Sequence, residues 1–356
     1  MPKPRIGLLL GDPCGIGPEV AAKLLARPDT AARAEVLVLG DRAVLAAGQR
    51  TAGVALGIPE APEPAVPRNP PGESTGGPAL RHVDFVGRED CPPGTVCAQA
   101  GAHVLDLLRR GADLAAAGAL DALVFAPLNK QAMAEGGLEQ EDELRFLAEH
   151  LGCRGHVCEL NAIDELWSSR VTSHIPISEV AAAITGPAIE AAAAILHRSL
   201  QGSGVAAPRI AISALNPHAG EGGRFGREEI EVIAPAVAAI RARGIDALGP
   251  LPADTVFVRA QREGLHGVVS MFHDQCQIAM KLMGFDRGVT VLAGLPFPVA
   301  TAAHGTAFDI VGQGKANPEP MVRAFEMALR LAGAAPPDAP PEALTGATPG
   351  ATPGAN

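Results

Sequence analysis

Short apolar runs alternate with amphipathic stretches along most of this chain. RIGLLLG (5–11), AEVLVLG (34–40) and DALVFAP (121–127) each have an apolar core of a length typical of a buried strand. Helical periodicity appears between them, as in PEVAAKLLAR (18–27), where Pro18 stands in the first turn. Strands that alternate with helices predict an α/β protein with mostly parallel sheets and helices on both faces.

Two segments depart from this alternation. Residues 57–80 are rich in Pro and Gly and predict a surface excursion. Residues 336–356 repeat ATPG and lack apolar periodicity, which predicts a disordered tail. The rest of the 356-residue chain is long enough for one large or two ordinary α/β domains.

Composition narrows the class of protein. The net charge is −10, no basic run occurs, and Trp167 is the only tryptophan in a chain without tyrosine, so a nucleic-acid partner is not expected. The six cysteines form no CxxC pair, and scattered thiols predict a reducing compartment. The chain has no apolar run of 18 residues, and its first apolar run is too short for a signal peptide. We therefore expect a cytoplasmic protein without a membrane partner.

Three histidines follow apolar, strand-like runs and stand where loops begin. They are His174 in RVTSHIPISE, His218 in ALNPHAGEGG and His273 in VVSMFHDQCQ. Ligands of α/β enzymes bind outside the carboxyl ends of the strands, so catalytic side chains are expected there. One such histidine is more often structural. Three in matched contexts predict a catalytic divalent-metal site with a position open to water or substrate.

Two glycine-punctuated loops are candidates for cofactor binding. The first, GDPCGIGPE (11–19), joins the first strand to the first helix; its glycines permit close approach of a ligand, although a plain tight turn has the same pattern. The second, HGTAFDIVGQGKANP (304–318), resembles the adenine-side loop of the isocitrate and isopropylmalate dehydrogenases. Those enzymes lack the usual Rossmann fingerprint, so its absence here does not exclude NAD.

Seven motifs together resemble the 4-hydroxythreonine-4-phosphate dehydrogenase family, which includes the terephthalate cis-dihydrodiol dehydrogenases. They occur in the family's order over about residues 5–332: GDPCGIGPE, ALNPHAGEGG, GPLPADTVF, FHDQ, GFDRGV, GLPF and HGTA. The resemblance implies a fold like isocitrate dehydrogenase, with residues 1–130 and 295–335 as the cofactor-side domain. Residues 131–294 are then the metal, substrate and dimerisation domain.

The resemblance also implies a homodimer with shared active sites. His174, His218 and His273 would hold a divalent metal, with His273 reaching in from the other subunit. Zinc is the expected metal, with Mg2+, Co2+, Mn2+ and Fe2+ as alternatives, and NAD, or else NADP, is the expected cofactor. The residues expected to bind the cofactor are Gly11, Asp12, Gly15, His304, Gly305, Thr306, Ala307 and Asn317.

Three further residues are catalytic candidates. Lys281 matches a substrate-contacting lysine of the family, and Asp254 matches an acidic residue near its active centre. Lys130 follows a strand end and is expected to contact substrate or cofactor. A solvated surface position for the lysines and a turn-capping role for Asp254 are the alternatives.

Departures from the family concern the substrate. Family members carry Gly-His-Thr-Glu where this chain has Asp142-Glu143-Leu144-Arg145, and they carry Asn at Thr290 and Arg at Val299. Losing His and Arg while gaining Glu143 removes phosphate donors and adds repulsion. This favours a non-phosphorylated substrate, with Arg145 as an alternative carboxylate clamp.

The main hypothesis is thus an NAD-dependent, metal-requiring dehydrogenase that oxidises and decarboxylates a small carboxylic acid bearing a β-hydroxyl group. The preferred substrate is a cis-dihydrodiol of an aromatic carboxylate such as terephthalate. The alternatives are 4-hydroxythreonine-4-phosphate, in vitamin B6 synthesis, and a related phosphorylated four-carbon sugar acid. The remaining hypothesis is a non-catalytic protein that binds a metal or a cofactor.

Overall fold

A computed structural model describes residues 3–61, 77–284 and 287–333. Eleven strands are formed by these residues: β1 (Arg5–Leu9), β2 (Glu35–Gly40), β3 (Ala79–His82), β4 (Ala122–Phe125), β5 (Cys158–Ile163), β6 (Leu166–Arg170), β7 (Arg209–Ser213), β8 (Asp246–Leu251), β9 (Gly267–Ser270), β10 (Val289–Ala293) and β11 (Val299–Ala302). The predicted tail at 336–356 and most of the predicted excursion at 57–80 lie outside the described residues.

Twelve α-helices connect or flank these strands in the described part of the chain. They are α1 (Gly17–Leu25), α2 (Pro28–Arg33), α3 (Arg42–Ala52), α4 (Ala98–Ala116), α5 (Lys130–Glu135), α6 (Glu143–His150), α7 (Val180–Ala183), α8 (Gly186–Gly202), α9 (Ala234–Ala242), α10 (Val256–Glu263), α11 (His273–Gly284) and α12 (Glu319–Gly333). No single one of them is long and apolar enough to cross a membrane; α8 meets that test only jointly with the short helical segment 177–183, across a bend of 92°.

All eleven strands belong to one sheet, in the order β3-β2-β1-β4-β11-β10-β5-β6-β9-β7-β8. Pairing is parallel from β3 to β11 and again from β6 to β8. The antiparallel pairs lie in the middle, where β10 meets β11 and β5, and β5 meets β6. The predicted α/β class with a mostly parallel sheet is confirmed.

The two predicted domains correspond to the two halves of this sheet. Residues 1–130 with 295–335 supply β1 to β4 and β11, and residues 131–294 supply β5 to β10. Strands β11 and β10 are neighbours, so the halves meet at that pair. The division into domains remains a prediction.

Four neighbouring parallel strands deliver four of the predicted site residues to one edge of the sheet. In spatial order, His174 follows β6, His273 follows β9, His218 follows β7 and Asp254 follows β8. Neighbouring strands are about 4.8 Å apart, and parallel strands end on the same side. The strand order therefore places His273 between His174 and His218.

Two helices beside this edge begin at side-chain caps. Asn129 accepts a hydrogen bond from the Ala132 amide and starts α5 at Lys130. Asp142, which is fully buried, accepts one from the Arg145 amide and starts α6 at Glu143. Asn and Asp are favoured at this position because their oxygens satisfy otherwise unpaired amides. The caps fix where the Lys130 and Glu143 side chains leave the backbone.

One pair of cysteines departs from the expectation of six scattered thiols. Cys91 and Cys97 form a disulfide at the start of α4. The intervening Pro-Pro-Gly turn, with Gly94 in the left-handed region, brings the chain back on itself. Cys14, Cys153, Cys158 and Cys276 are free thiols.

The close approach of α4 to α5 generates a stability prediction. Gly101→Ala should lower the free energy of unfolding by about 1–3 kcal/mol, because its Cβ would lie 1.8 Å from the Ala132 carbonyl oxygen. The control is Gly202→Ala in α8, whose Cβ would meet only Leu331 Cδ2, at 3.7 Å. That variant should be neutral or gain up to about 1 kcal/mol. Denaturant unfolding measures both, and an unchanged Gly101→Ala would contradict the packing.

Candidate active site

The main cavity of the described chain, about 430 Å³, opens at the strand edge and contains eight predicted site residues. They are Lys130, Glu143, His174, His273, Lys281, Thr290, His304 and Gly305. Two of the three predicted metal ligands, three of the six predicted substrate residues and one cofactor loop thus share a single space. Mixed apolar and polar walls with a few convergent charged groups are usual for small-molecule sites.

A second cavity, about 330 Å³, holds the remaining histidine and the acidic candidate. His218 and Asp254 line it, together with Phe272 and Gln275. The first turn of α11 separates the two spaces, because His273 faces the main cavity and Gln275 the second. Within one chain, two of the three predicted metal histidines come together.

Within the one chain that the structure describes, His273 lies beside His174, and its role as a ligand from the other subunit remains a prediction. The rings of His174 and His273, in the same chain, have their centroids 5.7 Å apart. The reason is the strand order, since β6 and β9 are adjacent. His218 is the histidine that stands apart.

All three histidines have a carboxylate on the same ring nitrogen. Nδ1 of His174 lies 2.5 Å from Glu141 Oε1, Nδ1 of His218 lies 3.0 Å from Glu221 Oε1, and Nδ1 of His273 lies 2.7 Å from Asp274 Oδ1. A histidine that donates from Nδ1 to a carboxylate keeps the Nε2 lone pair for a metal, and the carboxylate raises the basicity of the ring. The donor set therefore fits a divalent metal bound through Nε2.

Glu141, Asp142 and His174 also form a compact group of possible metal ligands. Asp142, however, is already used: its Oδ1 caps α6 and its Oδ2 pairs with Arg145 Nη1 at 3.0 Å. We therefore assign Glu141 the role of holding the His174 ring and Asp142 the role of helix cap.

The loop that carries His218 has a strained backbone. Residues 218–222 all have φ between 42° and 75°, including His218, Ala219 and Glu221, which are not glycines. Such residues cost on the order of 1–3 kcal/mol each and persist where the surroundings enforce them. Buried Glu229 does so here, because its carboxylate accepts hydrogen bonds from the Leu215 and Asn216 amides at the base of the loop. His218 projects from this loop with 65% of its side chain exposed.

Positive and negative charges face each other across the main cavity. Lys130 Nζ lies 3.9 Å from Glu143 Oε2. Burial raises the pKa of the Glu143 carboxyl, and the positive charge of Lys130 opposes that rise. Lys281 lies elsewhere on the same cavity wall.

A polar group beneath the cavity was not predicted from the sequence. Arg170, 3% exposed, donates from Nη2 to Glu159 at 2.6 Å and from Nη1 to Asn161 at 2.9 Å. Asn161 in turn donates to Thr290 Oγ1 at 3.3 Å. An arginine within a buried strand is the signal that could have indicated this group, because buried charges are paired.

Three predicted substrate residues do not face the main cavity. Leu144 and Val299 are fully buried in one apolar cluster of the core. Arg145 is paired with Asp142, at 3.0 Å, and with Glu141, at 3.8 Å, and its role as a carboxylate clamp remains a prediction. Helical geometry explains the burial of Leu144, since successive residues of α6 point in different directions and Glu143 is the α6 residue that faces the cavity.

The two predicted cofactor loops lie against each other. The Ile16 amide donates to the Thr306 carbonyl at 3.0 Å, and a Cβ on Gly15 would lie 2.7 Å from Thr306 Cβ. Gly11 adopts φ 71° against the Ala126 carbonyl, and Ala307 adopts φ 44°. His304 and Gly305 continue this surface into the main cavity.

The last cofactor candidate, Asn317, has a local role in the structure. Its Oδ1 accepts a hydrogen bond from the Glu319 amide at the start of α12. Nearby, Lys23 and Glu19 pin the preceding segment to α1, because Lys23 Nζ donates to the Gly314 and Ala316 carbonyls and Glu19 accepts from the Ala316 amide.

Known proteins are similar to this chain in sequence and in structure. The chain is 43% identical over 342 residues to "Putative 4-hydroxythreonine-4-phosphate dehydrogenase 2" of Pseudomonas aeruginosa, covering 92% of this chain and 97% of that one. The crystal structure of 4-hydroxythreonine-4-phosphate dehydrogenase from Klebsiella pneumoniae is 36% identical, covers 93% of this chain and 98% of its own, and superposes with a TM-score of 0.78.

A terephthalate 1,2-cis-dihydrodiol dehydrogenase from Burkholderia xenovorans LB400 is less similar, with 27% identity, a TM-score of 0.65 and coverage of 92% and 98%. The model of the family described as pyridoxal phosphate biosynthetic protein PdxA matches residues 32–328. With this match over most of its length, and with the histidines and loops of its site in place, the chain belongs to the PdxA family.

Proposed function

We propose that this chain is an NAD(P)-dependent, metal-assisted dehydrogenase that oxidises a phosphorylated β-hydroxy acid, with 4-hydroxythreonine-4-phosphate as the leading substrate. The observation that carries the proposal is the His174–His273 pair, which opens into the same cavity as Lys130, Lys281 and the His304 loop. Relatives with 36–43% identity bear this activity in their names. The proposal replaces the aromatic dihydrodiol as main hypothesis.

Glu143, Leu144 and Val299 are the residues that disfavoured a phosphorylated substrate. Leu144 and Val299 are core residues that line neither the main cavity nor the second one. Glu143 remains, but Lys130 stands opposite it. The dihydrodiol alternative keeps the 27% identical neighbour in its favour.

The histidine pair is assigned to the reacting end of the substrate. A divalent metal, when bound, supplies Lewis acidity that makes the substrate alcohol easier to deprotonate. His174 and His273 would hold it through Nε2, with Glu141 and Asp274 keeping both rings oriented. Zinc suits imidazole ligands, as do iron and other transition metals, so the metal's identity is set by the cell's supply as well as by the site.

The two cavity lysines are assigned to the anionic groups of the substrate. Lys281 would take the phosphate, and Lys130 would take the carboxylate that departs as CO2. An ammonium is a compact charge that pairs with either anion. Lys281 is also free to return a proton to the product carbon, since it is exposed to the cavity.

A second copy of the chain is proposed to complete the site with His218 and Asp254. Exposed apolar side chains follow each of the four residues on the strand edge: Ile175 and Ile177, Phe225 and Ile230, Val258, and Ile278 and Leu282. Clustered apolar exposure of this kind marks protein interfaces. A two-fold dimer would cover these residues and bring the exposed His218 of each copy to the histidine pair of the other.

The nicotinamide cofactor is assigned to the paired loops. Gly305, exposed on the wall of the main cavity, and Ala307 form a stretch without large side chains, while Gly15 is buried against Thr306 and Gly11 against Ala126. NAD(P) bound there would accept hydride from the alcohol carbon. Asp12, in the first loop, is 1% exposed, and one of its carboxylate oxygens has no partner among the described residues.

A substrate panel tests the reaction. Metal-loaded protein is mixed with NAD or NADP and with 4-hydroxythreonine-4-phosphate, its unphosphorylated form or terephthalate cis-dihydrodiol, and reduced nicotinamide is followed by absorbance. We expect kcat/KM for the phosphorylated acid to exceed the others by at least about 100-fold, because a site built for a polar group rejects analogues that lack it. Chelator treatment should abolish the rate, and added metal should restore it. Preference for the dihydrodiol would reinstate the earlier hypothesis.

Subunit mixing tests which histidine is shared. Exchange of His174→Ala with His218→Ala should recover about a quarter of wild-type activity, since half of the dimers are mixed and each has one intact site. Exchange of His174→Ala with His273→Ala should recover none, because both belong to one cavity. If His273 came from the other subunit, the second mixture would instead be active.

Asp12 generates a pH prediction. Burial raises its pKa to about 6 from an ordinary 3.8, against a lowering hydrogen bond from the Cys14 amide. A carboxyl whose pKa is higher in the folded state lowers the free energy of unfolding as pH rises from about 4 to 6. Above pH 6 the loss, relative to low pH, is about 3 kcal/mol. Asp12→Asn keeps the amide contact and removes the charge. Denaturant unfolding at pH 4 and at pH 7 measures the difference in free energy of unfolding between the variant and wild type. We expect this difference to shift in favour of the variant at pH 7, and an equal difference at the two pH values would contradict the buried charge.

A further inference from the structure

One carboxylate oxygen in the main cavity has no hydrogen-bond partner. Among buried side-chain atoms without a partner in the described residues, Glu143 Oε2 is the one whose side chain lines that cavity. Glu143 is 7% exposed. Buried polar groups are normally hydrogen-bonded, so an unpaired acceptor here indicates that something outside the chain pairs with it.

The remaining polar groups of the cavity wall beside it are already paired. Glu159 accepts from Arg170, and Asn161 accepts from both Arg170 and Gln277 while donating to Thr290. The arginine thereby neutralises Glu159 and fixes Asn161. These residues supply a rigid wall, and Glu143 supplies the unused acceptor.

Lys130 does not satisfy this acceptor. Its Nζ is 3.9 Å from Glu143 Oε2, beyond hydrogen-bond distance, and its side chain is more than half exposed. In the proposed function Lys130 meets the substrate carboxylate. Glu143 then lies beside the carbon that bears this carboxylate.

We propose that Glu143 determines specificity by accepting a hydrogen bond from a donor on that carbon, either a hydroxyl or an ammonium group. The inference rests on the proposed function. The reacting alcohol is assigned to the histidine pair and the phosphate to Lys281, so a four-carbon substrate has one position left for a further donor. Glu143 therefore selects 2-amino or 2-hydroxy acids over acids with only hydrogen at carbon 2.

Three substrates and three variants test this role. The substrates are 3-hydroxy-4-phosphonooxybutanoates with an amino group, a hydroxyl group or hydrogen at carbon 2. The variants are Glu143→Leu, which removes the acceptor, Glu143→Gln, which keeps a neutral acceptor, and the control Glu139→Leu, which changes an exposed glutamate outside the cavity. Both kcat/KM and calorimetric affinity without NAD are measured.

We expect Glu143→Leu to lose at least about 100-fold in kcat/KM on the two donor substrates and to stay within about threefold on the third. In Glu143→Gln, a loss confined to the amino acid identifies an ammonium as the natural donor, and equal retention of both donors identifies a hydroxyl. Glu139→Leu should behave as wild type. Equal loss by Glu143→Leu on all three substrates, or no loss, would overturn the proposal.

The same measurements distinguish failure of the proposed function from failure of the role of Glu143. If wild-type protein oxidised none of the three acids, the reaction would be wrong, and the affinities alone would then decide the role of Glu143. Weakened binding by Glu143→Leu confined to the two donor compounds supports the acceptor site. Unchanged affinities for all three overturn it.

Discussion

The parallel order of β6, β9, β7 and β8 is the constraint on which the candidate site depends. Strands in register about 4.8 Å apart release their following residues side by side along one edge. His174, His273, His218 and Asp254 are far apart in sequence, yet this order gives each a fixed neighbour. Because α11 begins directly at His273, its first turn forms the wall between the two cavities.

The chain uses its excess of acidic residues to orient cationic or metal-binding groups at this edge. Glu141, Glu221 and Asp274 each hold a histidine ring by Nδ1, and Glu159 holds Arg170. A carboxylate on Nδ1 fixes the tautomer, so that all three rings present the same atom, Nε2. Orientation therefore comes from residues next to the histidines in sequence, as in His273-Asp274, as well as from a loop more than 30 residues away, as in Glu141.

The alternation of strands and helices was predictable from the sequence, and so were the strand-end positions of the histidines, because both follow from local patterns. Which histidines are adjacent was not, since that depends on strand order, a non-local property. The direction of the Leu144 side chain was not predictable from the sequence either. An ungapped match to a substrate-contacting threonine does not show that α6 directs this side chain into the core. The Arg170 group was missed because a lone arginine at a strand end gives no indication of its partners.

In a single chain, the surface around the candidate site combines a strained backbone segment with exposed apolar side chains. The strained segment 218–222 projects His218 into solvent, and exposed apolar side chains follow every histidine of the edge. Backbone strain and apolar exposure are both unfavourable in an isolated chain; in the proposed dimer, association would cover the apolar side chains and bring His218 to the histidine pair of the other copy. An interface that holds a metal ligand couples assembly to metal binding, because each is then favoured by the other. In such a protein the free energy of dimerisation is part of the metal affinity, so the site is a property of the pair of chains.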